Sequence, residues 1–266
     1  MKLSRIARAT SAAFALAAIA ATTAPVTLGG VTVGEPIGSV VAALGPPGLV
    51  ESTDEGQEWR WFGAGGLDVD LLTDDTLATR QILVARPEAL GNKAAPLVQP
   101  SAYPYLEMSA SGAEAAMQKS GASNVREPGG VASVWRVGDD YVVLELMNHA
   151  VRKILALDAD AAARAGYVGT PQPFGAFHAP RLLQQYPVDY PRRAVEQRAS
   201  GVVVVRAEIA ATGAVTGVSV IVSSGNVDID AAEVLSIRKS KFRPALCHEQ
   251  PCSGVYLDRE EYTLGS

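Results

Sequence analysis

Residues 190–264 read "YPRRAVEQRASGVVVVRAEIAATGAVTGVSVIVSSGNVDIDAAEVLSIRKSKFRPALCHEQPCSGVYLDREEYTL", and this stretch decides how the last third of the chain folds. Pro191 suits a first helical position, where its missing N–H costs nothing, and "PRRAVEQR" supplies about two turns before Gly201. Val203, Val205, Ala207 and Ile209 then alternate along a strand, "ATG" turns the chain, and Val215, Val218, Val220 and Val222 lie along the return. Asp228 or Asp230 caps a helix through about Lys239, with Ala231, Leu235 and Arg238 on one side and Ala232 on another. After "FRPA" and a cysteine turn, residues 254–264 form a further strand. The expected order is α-β-β-α-β.

This run resembles the TonB C-terminal domain family over residues 180–264. The resemblance is carried by Tyr190, Pro191 and Ala194, by the "GVVV…I…GAV" hairpin from Gly201 to Val215, by Ser223, Ser224, Gly225, Asp230, Ala231 and Ala232, and by Phe242, Pro244 and Ala245. It implies a periplasmic binding module that pairs an extended segment of an outer-membrane or periplasmic protein onto a sheet edge, main chain to main chain. The implied pairing strand is residues 254–264, with Val255, Tyr256 and Leu257 as its contacts. An energy transducer of that family needs an inner-membrane anchor and a long Pro-rich spacer; two folded units stand in their place here.

Two further features of the module come from the residues themselves. Arg238, Lys239, Lys241 and Arg243 close the last helix, where their charge offsets the dipole; the sharper use of Arg238, Lys239 and Lys241 is to dock an acidic partner segment. Cys247 and Cys252 flank "HEQP", a spacer suited to joining two strands. In an exported protein they read as a disulfide, contributing roughly 2 kcal/mol on the chain-entropy model. The alternative is a metal site that adds His248, but a closed zinc site wants four ligands, and His149 and His178 are far off in sequence. No metal and no cofactor is expected.

Upstream, residues 166–189 carry Pro171, Pro173, Pro180 and Pro187 with little periodicity, which reads as a linker or a draped segment. Before it lie two units of similar order. In residues 29–88, Ile37, Val40, Val41 and Leu44 sit at helical spacing and stop at Gly45, Pro46 and Pro47; "EWRWF", "LDVDLL" and "ATRQILVA" follow as strands. In residues 103–160, "SGAEAAMQKSG" is a helix ending at Gly121, followed by "ASVWRV", "YVVLELM" and "VRKILAL". An offset of 76 residues carries both Gly45 onto Gly121 and Trp59 onto Trp135, which points to an internal duplication. Residues 29–160 are similar to tandem units of the SmpA/BamE type, the arrangement from which the β-lactamase inhibitor proteins are built. Trp59, Trp61 and Trp135 read as core packing.

At the N-terminus, Lys2, Arg5 and Arg8 precede "SAAFALAAIAATTA", a charged and then apolar pattern that reads as a signal peptide over residues 1–24; an uncleaved anchor is the rival reading. Beyond residue 24 the charge is uneven. Residues 180–266 hold ten basic and ten acidic side chains, whereas residues 25–179 hold ten basic and eighteen acidic. No basic stripe exists for a nucleic-acid backbone, and no small-molecule site is evident. Enzyme motifs are missing, and "GAGG" at residues 63–66 runs into a strand and not a helix. Asp74/Asp75 and Asp139/Asp140 sit at turns, where local hydrogen bonding explains them.

The chain is therefore expected to be α+β, with two helix-plus-antiparallel-sheet repeats, a linker and the TonB-like domain. Its expected role is non-enzymatic protein binding in the periplasm, with a link to outer-membrane transport. The alternative is an envelope-assembly factor or protein inhibitor acting through the N-terminal repeats.

Overall fold

The computed structural model describes residues 25–64, 66–86, 105–126, 132–169 and 177–264. The expected signal peptide and the joint 91–104 lie outside the described residues. A hairpin of β1 (Thr27–Leu28) and β2 (Val31–Thr32) leads into α1 (Ile37–Leu44), then β3 (Leu49–Thr53), β4 (Gly56–Ala64), β5 (Leu67–Thr73) and β6 (Thr79–Ala85). Next come α2 (Ala110–Lys119), β7 (Ser123–Arg126), β8 (Ala132–Val137), β9 (Asp140–Met147), β10 (Ala150–Leu157) and α3 (Ala159–Arg164).

Each half thus runs helix and then four strands, not the three expected. The additional strands, β3 "LVEST" and β7 "SNVR", are the two edges of one eight-stranded antiparallel sheet ordered β3-β4-β5-β6-β10-β9-β8-β7. Edge strands cover less apolar surface, so their composition is polar and their periodicity weak. The halves do not form separate sheets: β6 and β10 pair directly, Val84 with Ile154 and Ile82 with Ala156.

One face of this sheet carries α1 and α2. Ile37 and Val40 of α1, Ala113 and Met117 of α2, Trp59, Trp61 and Trp135 all enter a single core. Trp59 and Trp135 are fully buried, each on the second strand of its half. Their indole N–H groups donate to Thr73 Oγ1 and Ser133 Oγ at 3.2 and 3.0 Å, and Trp61 donates to the Gly45 carbonyl at 3.0 Å. α3 covers part of the other face through Ala161 and Ala162 against Val143 and Leu157. Of the acidic turns, Asp74 bonds locally as read, accepting from Thr76 and Ala78, whereas Asp140 is buried and accepts from the Val26 N–H, a long-range tie that local turn chemistry does not explain.

The C-terminal module contains β11 (Phe177–His178), β12 (Arg181–Gln184), α4 (Arg192–Glu196), β13 (Gly201–Ile209), β14 (Val215–Val222) and α5 (Val227–Lys239). It closes with β15 (Lys241–Arg243), β16 (Ala245–Cys247), β17 (Gln250–Cys252) and β18 (Gly254–Tyr262). Residues 177–184 are not a slack connection: β11 pairs with β16 and β12 with β15, which straps the preceding segment to the module. The main sheet is β14-β13-β18, antiparallel throughout. The α5 cap is Asn226, neither Asp228 nor Asp230; its side chain accepts from the N–H groups of Asp228 and Ile229 at 3.0 and 3.2 Å. Asp230 instead accepts from Ser223 and Ser224 and holds the chain between β14 and α5. Cys247 and Cys252 form a disulfide across the β16–β17 hairpin, which uses up both sulfurs and removes the metal alternative.

β13 is buried on its helix face throughout and on its other face at Val204. Val203, Val205, Ala207 and Ile209 face α4 and α5 in a core with Ile229, Ile237 and Phe242, so Phe242 does wedge the helix against the sheet. Val204, together with Val222, Val255 and Leu257, joins the core of the N-terminal half. Two glycines of the motif have distinct reasons. A Cβ on Gly201 would stand 2.3 Å from the Ser224 carbonyl oxygen, so only glycine lets those backbones meet. Gly225 has φ +85° with nothing within 4 Å, so its need is conformational alone. Gly201→Ala is therefore expected to destabilise by about 2–3 kcal/mol through a backbone clash, and Gly225→Ala by about 1 kcal/mol. Urea denaturation of the two variants measures the difference.

Candidate functional site

The residues expected to bind a partner do not form one patch. Val255 and Leu257 are 6% and 2% exposed and point toward the N-terminal half. Tyr256 points to the opposite face, its ring 5.0 Å from that of Phe242. Arg238, Lys239 and Lys241 are exposed at the end of α5 and on β15, on the helix side of the sheet, and Lys239 Nζ lies 4.8 Å from the centre of the Tyr186 ring. The expectation of an exposed strand at 254–264 is corrected for its first half, because Val255 and Leu257 are buried and the edge beside them is covered, while Glu260 and Glu261 remain exposed.

That edge is closed by groups that sequence reasoning missed. The Leu257 N–H donates to Ser52 Oγ at 2.8 Å, and the Val255 carbonyl accepts from Gln57 Nε2 at 3.3 Å. Arg259 Nε donates to the Pro47 carbonyl at 2.8 Å. Residues 255, 257 and 259 are those whose main chain faces away from β13 on the alternation of the ladder. Side chains of β3 and β4 thus satisfy two of the main-chain groups that a pairing strand would otherwise take, the Leu257 N–H and the Val255 carbonyl.

A second contact clips the halves nearby. Asp54, in the β3–β4 turn, accepts from the Ala179 N–H and bonds His178 Nδ1, both at 2.9 Å. Burial pushes the Asp54 carboxyl up, but these bonds outweigh it and hold the group below its usual range. Beside the clip the halves enclose a cleft of about 770 Å³ lined by Glu51, Glu58, Asp70, Arg181 and Leu257 among others. Burial, opposed by Arg60 and reinforced by Glu58 and Asp68, pushes Asp70 up to about 6.

Under α5 lies a buried carboxyl pair that no sequence signal announced. Glu233, 1% exposed, accepts from the Tyr262 hydroxyl at 3.1 Å, and Asp258 accepts from the Tyr256 hydroxyl at 3.2 Å. The second Glu233 carboxyl oxygen, Oε1, is buried without a hydrogen-bond partner. Burial, then the Asp258 charge, pushes Glu233 up to about 7.

The unfolded chain releases the Glu233 proton near its ordinary 4.5, while the folded chain holds it to about 7. Stability is therefore expected to fall as pH rises between those values and to level off above them. Glu233→Gln is expected to remove this slope and to raise stability at pH 7.5 by about 2 kcal/mol. Denaturant unfolding between pH 5 and 8 checks both; an unchanged slope would place the proton elsewhere.

No helix among the described residues is long and apolar enough to cross a membrane, and among them no group of three or more His, Cys, Asp or Glu is placed to hold a metal ion. Residues 186–260 match the family model of the Gram-negative bacterial TonB protein C-terminal domain, so this part of the chain is a TonB-type domain. That family is one of protein-interaction domains. Comparison with curated protein sequences finds no match. Among solved structures, an extracellular protein containing an SCP domain from Bacillus anthracis str. Ames is 14% identical, with a TM-score of 0.36 over 53% of this chain and 50% of that one. A cysteine-rich secretory protein from Staphylococcus aureus subsp. aureus Mu50 is 14% identical, with a TM-score of 0.33 over 49% of this chain and 46% of that one. A DUF4309 family protein from Bacillus subtilis subsp. subtilis str. 168 is 12% identical, with a TM-score of 0.31 over 52% of this chain and 90% of that one. The chain spans about half the length of the first two, and none of the three likenesses carries an argument about function.

Proposed function

We propose that the chain is an exported, periplasmic, non-enzymatic protein-binding module of TonB type, which engages an extended segment of an outer-membrane or periplasmic protein by adding it as a strand to the C-terminal sheet. We link this role to outer-membrane transport. The observation that carries the reading is the construction of β14-β13-β18: a short antiparallel sheet braced by α5 on one face and by the N-terminal core on the other. A sheet held rigid on both faces presents its edge without an ordering cost of its own, so the partner's main-chain hydrogen bonds, each worth about 1 kcal/mol net, translate into affinity. The charged-then-apolar opening of the sequence supports export, and the exposed Arg238, Lys239 and Lys241 add steering toward an acidic flank of the partner.

The test is a titration of the chain with extended peptides from envelope proteins and with the same peptides N-methylated at alternate residues. Strand pairing predicts at least a tenfold loss on methylation, since donors vanish while side chains stay. Equal affinity of both forms would sink the reading.

A second reading places the interface on the N-terminal sheet, as in an envelope-assembly factor or protein inhibitor built from tandem repeats. It is favoured by Phe62, 57% exposed on β4, on the face with Glu58 and Arg60 that α1 leaves open. Because Val204, Val222, Val255 and Leu257 belong to the N-terminal core, deleting residues 180–266 would damage what remains. Phe62→Ser discriminates instead: loss of partner binding in this variant alone, with peptide pairing unaffected, supports the second reading.

A further inference from the structure

Resting on the strand-pairing reading, we propose that the partner segment adds to the outer edge of β14, and that the segment this edge accepts is uncharged and rich in β-branched residues. The C-terminal sheet has two outer edges. At β18, the outward Val255 carbonyl and Leu257 N–H are taken by Gln57 and Ser52, and both side chains are buried in the core that also holds Trp59 and Trp61. Freeing that edge would mean pulling apart a continuous core. β14 has β13 as its one strand neighbour among the described residues, and Thr216, Ser219 and Val220 are exposed along it, Val220 by 38%.

The composition of this edge is as informative as its exposure. From Ile209 to Val227 the chain contains no Asp, Glu, Lys, Arg, His or Pro. Natural sheet edges are normally blunted by Lys, by Pro, by charges pointing inward or by β-bulges, to prevent pairing with other chains. Of these, β14 carries no Lys, Pro or charge, and its register shifts lie toward its two ends. Two register shifts, one beside Ile221 and one beside Thr216, frame a regular stretch from Gly217 to Val220 and limit where an incoming strand can align.

The same stretch specifies the partner. On the helix side, Val218 and Val220 continue the row of Ala207 and Val205, so an incoming β-branched side chain would cover the exposed flank of Val220. On the other side, Gly217 and Ser219 leave room for small or hydroxyl side chains. There the Glu208 carboxylate, 3.0 Å from the position a Cβ on Gly217 would take, is paired with Arg206 at 2.8 Å, so a charged side chain of either sign would intrude on that ion pair. A second copy of the chain is disfavoured by charge: two-fold pairing of β14 edges would draw together two N-terminal halves, each with eighteen acidic against ten basic residues.

The experiment uses the whole chain and a fluorescent octapeptide of alternating Thr and Val, compared with one of alternating Glu and Val. Both native cysteines are in the disulfide, so single introduced cysteines report position. The expected result is saturable binding of the Thr/Val peptide, at least tenfold tighter than the Glu/Val peptide. Val220→Lys should weaken it at least tenfold with an unchanged melting temperature, and Thr216→Lys serves if Val220→Lys does not fold. A cysteine-bearing Thr/Val peptide should cross-link to Ser219→Cys and not to Ser52→Cys. Cross-linking at Ser52→Cys with binding indifferent to both β14 variants would overturn the choice of edge while leaving strand pairing intact. Equal binding of the Glu/Val peptide would overturn the partner chemistry. Concentration-dependent dimerisation abolished by Val220→Lys, without peptide binding, would overturn the proposed occupant in favour of a second copy, and no peptide binding with no dimerisation would overturn the proposal together with the reading beneath it.

Discussion

Strand β13 is buried on one face along its length and on the other over Val202–Val204, and the rest of the structure depends on that constraint. A strand in this position must supply apolar side chains in both directions, which is what the run Val202–Val205 does. One row, Val203, Val205, Ala207 and Ile209, packs under α4 and α5, while Val204 reaches the N-terminal core. The N-terminal half therefore acts as the second layer of the C-terminal domain, where otherwise one face of a three-stranded sheet would lie open to water.

Once the two halves share a core, the status of every edge follows. β18 lies closest to β3, and the meeting is not a strand pairing: the two strands belong to different sheets, with Ser52 and Gln57 reaching across to the outward main chain. Such a junction keeps buried polar groups satisfied without joining the sheets in register. The Asp54 clip to Ala179 and His178 fastens the strap that precedes the module to the same turn. Among the described residues, the edge left without a second strand is that of β14, on the far side of β13.

The same tight packing has a cost under α5. Enclosing Glu233 and Asp258 between helix and sheet leaves two carboxyls where water would have solvated them, and the hydroxyls of Tyr262 and Tyr256 each donate a hydrogen bond in its place. Burial of this kind ties the stability of the C-terminal module to pH in a range where isolated carboxyls no longer titrate.

Local signals in the sequence were enough for the order of elements in the C-terminal module, because Pro191, Gly201, Gly225 and Phe242 act on their immediate surroundings. The same holds for the disulfide and for the burial of Trp59, Trp61 and Trp135, whose alternation on strands marks a core face. Strands β3 and β7 were not legible, since edge strands carry little apolar pattern, and the Asn226 cap was obscured by two nearby Asp residues equally suited to the role. The candidate site was legible only as a kind of chemistry, pairing at a sheet edge. Which edge stays open was a tertiary decision: it turns on Ser52 and Gln57, some two hundred residues from the strand they cover. Polar side chains of this kind carry no mark in sequence of the main chain they will meet, whereas a turn glycine or a core tryptophan announces its environment by its own chemistry.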